Sequence, residues 1–140
     1  MRLIIGAIAL IYACKADPRP TPINKLERTC VQNILKQDSI LGGIRNHQCE
    51  ELSLAKTIEN YTQALSILNF EDCPPDFYKA FKAHIAAWNE MAVFVHPEND
   101  LRGELHDLFD LIKAKDETGE FDRKLKAIWD TWSEIEASQE

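Results

Sequence analysis

The chain is 140 residues long and carries 16 Lys and Arg against 23 Asp and Glu, a formal net charge of −7, with 45% hydrophobic residues. This balance is typical of one globular domain with a proper core, and the acidic charge gives no positive field for a phosphate backbone, so we expect no nucleic-acid partner. No apolar run reaches the length of about 20 residues that a membrane-spanning helix needs.

The amino terminus has the layout of a secretory signal peptide. Arg2 precedes the apolar stretch Leu3–Ala13, and charge and proline return at once in Lys15–Pro22. The apolar stretch is too short to cross a hydrocarbon core of about 30 Å as a helix. We therefore predict that residues 1–13 are a signal peptide, that 14–22 form a proline-rich tether, and that 23–140 form a single domain.

The end of the signal, Ile11-Tyr12-Ala13-Cys14, resembles the lipobox of bacterial lipoproteins, in which aliphatic and small residues lead directly into a cysteine. The resemblance implies cleavage before Cys14, a diacylglyceryl thioether on its sulfur and an acylated amino terminus. Several acyl chains together give a stable membrane anchor. The resemblance also implies a place in the cell envelope, at the outer membrane in a Gram-negative cell, since Lys15 is not the usual aspartate retention signal.

Two alternatives to a lipid anchor stay open at this point. The first is an ordinary secretory signal cut after Ala16, which would give a secreted or soluble periplasmic protein. The second is an amphiphilic first helix of the fold itself. The apolar run lacks the 3.6-residue periodicity of such a helix, which favours a targeting segment.

Five later segments have helical periodicity, and none alternates convincingly as a strand. The predicted helices are Pro22–Gln37, Cys49–Asn69, Pro74–Val95, Asp100–Lys115 and Gly119–Ala137. The stretch Asp38–Gln48, which contains Gly42-Gly43, is predicted to be a loop. Because most of the connections are short, neighbouring helices should pack antiparallel. The predicted fold class is all-α, an up-down antiparallel bundle of four to five helices.

The cysteines are odd in number once Cys14 is lipidated or removed. Cys30, Cys49 and Cys73 remain, so at most one intramolecular disulfide can form. Cys49 and Cys73 lie at opposite ends of the second predicted helix, about 36 Å apart, which is too far for a bridge. The glycine loop favours Cys30–Cys49 slightly, and the alternative is that Cys30 is a small core residue with a free thiol.

His84 is the only histidine within an apolar helical stripe, and Trp88 and Met91 lie near it on the same predicted helix. Helical bundles hold haem and metals between facing helices, so a ligand-binding or cofactor-binding bundle that uses His84 is the alternative function. The inward Glu-x-x-His and His-Glu-x-x-His spacings are missing. We therefore expect no metal and no cofactor, and a partly buried His84 bonded to a neighbour.

Signatures of catalysis are missing from the sequence. There is no Cys-x-x-Cys, no Gly-x-Ser-x-Gly turn and no glycine-rich phosphate loop. The leading hypothesis is a membrane-anchored cell-envelope lipoprotein that is not an enzyme. Its small helical domain would act as a binding or structural module, with the membrane as partner through the anchor and an envelope protein as a further candidate partner.

Overall fold

The computed structural model describes residues 22–98 and 100–139, and over these ranges its regular structure is entirely helical. The five helices described are α1 (Lys25–Gln48), α2 (Leu54–Ser66), α3 (Pro75–Val95), α4 (Leu105–Lys115) and α5 (Glu120–Ala137). The predicted signal peptide, Cys14 and nearly all of the tether lie outside the described residues. Within the described part of the chain, no helix has both the length and the apolar character needed to cross a membrane.

Local sequence signals explain where the helices begin. At the start of α1 the side chain of Asn24 accepts the backbone N–H groups of Leu26 and Glu27, and the Glu27 carboxylate accepts the Asn24 N–H in return. This capping box satisfies donors that the first helical turn leaves unpaired. Ser53 caps α2 in a simpler way, and Pro75 opens α3, where its missing N–H costs nothing.

The predicted loop at Asp38–Gln48 is wrong, because α1 continues through Gly42-Gly43 to Gln48. Each helical glycine costs about 1 kcal/mol relative to alanine. Contacts on both sides of the glycines oppose that cost, since Leu41 packs against the core and the guanidinium of Arg45 stacks on the ring of Tyr61. Tertiary packing therefore outweighs the local helix propensity of this stretch.

The helices pack together as a bundle, which confirms the predicted all-α fold class. α1 packs on α2, α2 on α3 and α3 on α5. α4 packs mainly on α5, and this contact is less extensive than the contacts between the other helix pairs. The largest side chains that are fully buried come from α2, α3, α4 and α5: Leu54, Ile58, Leu65, Phe77, Phe81, Met91, Leu108, Phe121 and Ile135. The core is thus continuous through the bundle, and α4 is the most weakly attached of its helices.

A disulfide joins Cys30 to Cys73, with the two Cα atoms 5.1 Å apart. It links the first turns of α1 to the connection that follows α2, as the antiparallel packing of these helices allows. The predicted preference for Cys30–Cys49 is wrong, because the unbroken α1 separates those residues by about 28 Å of helical rise. Cys49 is a buried free thiol, and Cys30 is not a free core residue.

Candidate functional site

A cleft of about 370 Å³ opens between α1, α4 and α5, and side chains from α2 and α3 lie at its floor. Six aromatic rings line it, together with the imidazole of His84: Tyr61, Trp88, Phe109, Phe121, Trp129 and Trp132. The sequence has three tryptophans, and every one of them lines this cleft. Binding sites for small molecules are typically concave, largely apolar and aromatic, with a few convergent polar groups.

The rings of the cleft contact one another, so its floor is a packed surface. Trp88 lies edge-on to Tyr61 with ring centroids 5.6 Å apart, and Phe109 lies edge-on to Phe121 at 5.3 Å. Such edge-to-face pairs are favourable arrangements of aromatic quadrupoles. Trp129 is 62% exposed at the mouth. A ligand would therefore find preformed rings at the floor and an exposed ring at the entrance.

His84 lies at the floor of the cleft and uses both of its ring nitrogens within the protein. The indole N–H of Trp88 donates to Nε2 at 3.1 Å, so the remaining proton is on Nδ1, which lies 2.9 Å from the Thr131 hydroxyl oxygen. That hydroxyl in turn donates to backbone carbonyl oxygen on α5. Burial lowers the pKa of His84 to about 4, so the imidazole is neutral at pH 7.

The candidate ligand residues are only partly brought together. His84 and Trp88 meet at the cleft, whereas Met91 is fully buried and does not line it. Ligation of haem or metal by His84 would require it to give up the bond from Trp88 or the bond to Thr131. In the described ranges no three His, Cys, Asp or Glu side chains are grouped to hold a metal ion.

One end of the cleft holds a half-buried polar cluster made by α1 and α2. The guanidinium of Arg45 lies between two rings, 4.5 Å from the centroid of Tyr61 and 4.3 Å from that of Trp88. The Tyr61 hydroxyl donates a hydrogen bond of 2.5 Å to Asp38. Asp38 and Arg45 lie two turns apart on one face of α1, so the continuous helix presents both of them to the cleft.

Burial dominates the electrostatics of this cluster. It raises the pKa of Asp38 against the opposing effects of the Tyr61 hydrogen bond and the Arg45 charge. It lowers the pKa of Arg45, although nearby groups that include Asp38 favour the charged form. It also raises the pKa of Tyr61, which therefore stays protonated and able to donate. The cluster places a desolvated cation against two aromatic faces, a favourable geometry for cation–π attraction.

Charged side chains on α4 form the rim, and most of them already have partners. The imidazole of His106 lies 2.8 Å from the carboxylate of Glu104, and the Lys113 ammonium lies 2.9 Å from that of Asp122. Asp110 is the remaining charged residue of the rim. These groups are exposed and their interactions are screened by water and salt, so the half-buried Arg45 is the stronger determinant of what the cleft can hold.

A larger groove of about 690 Å³ lies beside the disulfide, and it is a weaker candidate. It has two aromatic rings, those of Phe70 and Tyr78, which contact each other. Its one lysine, Lys82, already faces the ring of Tyr78. The groove thus lacks the combination of several rings with a half-buried charge that distinguishes the cleft.

Sequence reasoning identified His84 and Trp88 but missed Asp38 and Arg45. Both lie in the predicted loop around Gly42-Gly43. The side chains of a loop have no periodic arrangement, so a predicted loop does not indicate which of them share a face. Their spacing of two helical turns is the signal that would have paired them, had α1 been read as continuous.

Comparison of the chain with protein-family models, curated proteins and solved structures gave no significant match.

Proposed function

We propose that this protein is a non-enzymatic binding module of the cell envelope and that the aromatic cleft is its binding site. The observation that carries the proposal is the convergence of the three tryptophans on one cleft that also holds a half-buried guanidinium. Aromatic residues and arginine are the side chains that contribute most to binding energy in protein recognition sites.

The state of the polar groups supports binding over catalysis. His84 uses both ring nitrogens in hydrogen bonds to Trp88 and Thr131. Oδ1 of Asp38 accepts a hydrogen bond from the Tyr61 hydroxyl. A general base needs a free acceptor within hydrogen-bond reach of the proton that it removes. His84 offers none without breaking a bond that holds the bundle together, and Oδ1 of Asp38 is already occupied by Tyr61.

We expect an uncharged aromatic probe to bind in the cleft. In a titration of the purified full chain with 4-nitrobenzamide, quenching of tryptophan fluorescence should saturate, because all of the emitting rings line the site. Phe109→Ala should weaken binding about fivefold, since one aromatic contact contributes about 1 kcal/mol. The matched control is Leu111→Ala on the same helix, whose half-exposed side chain does not line the cleft.

Two outcomes would count against the cleft. Quenching that rises linearly with probe concentration, as for a free tryptophan derivative, would mean collision without binding. Equal weakening by Phe109→Ala and Leu111→Ala would place the bound probe elsewhere.

The envelope location is proposed on the lipobox-like sequence that ends at Cys14. Replacement by Cys14→Ala removes the only sulfur that the anchor can use. In a bacterial host we expect the wild-type chain in the membrane fraction with a mass that includes diacylglyceryl and acyl groups. The variant should lose the lipid mass and leave that fraction. Equal partition of both chains and no lipid mass on the wild type would overturn the anchor and leave the binding site untouched.

A further inference from the structure

Arg45 is a half-buried cation without a close counter-ion. Its Nε and Nη2 lie 3.3 and 3.2 Å from the side-chain oxygen of Asn46, a neutral acceptor. Among the described residues no carboxylate lies within 4.0 Å of its guanidinium, the distance of an ion pair. The Tyr61 hydroxyl is also within hydrogen-bond reach of the guanidinium. Both partners are neutral and a guanidinium has five N–H donors, so Arg45 keeps the capacity to bind an anion, as desolvated charges are normally paired.

The neighbouring carboxylates do not take up that capacity. Asp38 is the closest in the cluster, and its Oδ1 accepts the short hydrogen bond from Tyr61. Asp110 is exposed on α4 at the rim. The Asp38 charge offsets part of the Arg45 charge through space, yet it leaves the planar edge of the guanidinium open to a second partner. Planar carboxylates match that edge with two parallel hydrogen bonds.

The cleft also limits the size and shape of a ligand. Its volume of about 370 Å³ is near the lower end of the range of about 300 to 1,000 Å³ for small-molecule sites. The walls are the rings of Trp88, Phe109 and Trp132, which stack well on a flat apolar body. One or two fused rings with a single polar group fill such a space.

We propose that the cleft binds a small planar aromatic carboxylate, with its ring among the tryptophans and its carboxylate on the guanidinium of Arg45. The proposal rests on the cleft being the binding site, and it adds the charge and chemical class of the ligand. Charge-assisted hydrogen bonds of this kind are about twice as strong as neutral ones.

The test compares two probes that differ only in the group that Arg45 would recognise. In titrations of the full chain at pH 7.5, 4-nitrobenzoate should quench tryptophan fluorescence with an affinity at least about tenfold higher than that of 4-nitrobenzamide. Arg45→Gln should remove this preference. Lys36→Gln, which removes the same charge from an exposed position of α1, should leave it unchanged. Arg45→Lys keeps the charge without the planar fork and should give an intermediate preference.

The outcomes separate the ligand class from the site itself. Equal affinities of the two probes, or tighter binding of the amide, would overturn the carboxylate and leave the cleft as an apolar binding site. A preference that survives Arg45→Gln would overturn the role of Arg45. Saturable quenching by neither probe would overturn both proposals. If circular dichroism shows that Arg45→Gln does not fold, the carboxylate preference of the wild type is compared with that of Arg45→Lys instead, and this comparison tests the role of Arg45.

Discussion

Replacing Cys30 and Cys73 together by alanine is expected to lower the free energy of unfolding by about 3 kcal/mol. The bridge closes a segment whose ends are 43 residues apart in the chain, and it restricts the unfolded ensemble more than the folded one. The segment contains most of α1, all of α2 and the connection to α3. For a domain of this size the loss corresponds to a decrease in the melting temperature of about 10 °C.

Urea unfolding of the wild type and of the Cys30→Ala, Cys73→Ala double variant measures this effect. Dithiothreitol serves as the internal control, because it should destabilise the wild type by nearly the same amount and leave the double variant unchanged. Cys49→Ala is the matched control for truncation of a buried thiol, and its stability should still respond to the reductant. A wild type that is insensitive to the reductant while fully reduced would contradict the stabilising role of the bridge.

Acidification from pH 7 to pH 5 is expected to destabilise the protein through His84 by about 2 kcal/mol. Burial lowers the pKa of His84 in the folded chain from its ordinary 6.5 to about 4. The unfolded chain therefore takes up a proton at a higher pH than the folded chain does. The contribution is complete above pH 6.5 and is lost as the pH falls towards 4.

The main structural cause of the low pKa is burial, and the hydrogen bond from Trp88 to Nε2 of His84 also opposes protonation. A protonated imidazole has no acceptor, so protonation in the folded state breaks this bond and leaves a buried charge facing an N–H donor. His84 is only 3% exposed, so water cannot readily solvate the charge of the protonated imidazole. Unfolding is therefore the easier route to protonation as the pH falls.

Urea unfolding at pH 7, 6 and 5 tests the assignment with His84→Gln, which can donate and accept hydrogen bonds but does not titrate. The variant should have lower stability at pH 7 and a flatter dependence on pH than the wild type. His47→Gln changes an exposed histidine on α1 and should keep the wild-type slope. Parallel curves for the wild type and His84→Gln would assign the acid sensitivity to other groups.

The positions of the helices followed from the sequence because helical periodicity is a local signal. The predicted third helix ends at Val95, as α3 does, and the predicted fifth helix ends at Ala137, as α5 does. The end of α1 is the largest difference, since the predicted helix ends at Gln37 and α1 ends at Gln48. The start of α4 also differs, since the predicted helix begins at Asp100 and α4 begins at Leu105. The N-cap residue of α4 is Glu104. The backbone just before it is bonded to another part of the chain, because the Gly103 N–H donates to the carbonyl oxygen of Cys49.

The site was less predictable because it depends on contacts between distant parts of the chain. Tyr61 and Arg45 belong to different helices, and the ring of Trp88 that completes the stack comes from a third. Periodicity assigns each of these residues to a face of its own helix. It gives no relative height or rotation for two helices, and those two quantities determine which side chains meet.

By itself the sequence determined the all-helical class and most of the helical segments, since these follow from spacing and composition. Its lipobox-like start and the anchor at Cys14 stay predictions. Only the tertiary structure decided that α1 continues through Gly42-Gly43, and with it the pairing of Cys30 with Cys73 and the meeting of Arg45 with the tryptophan cleft. The reason is energetic: two glycines weaken a helix locally, and only packing against α2 and α3 supplies the free energy that keeps it intact.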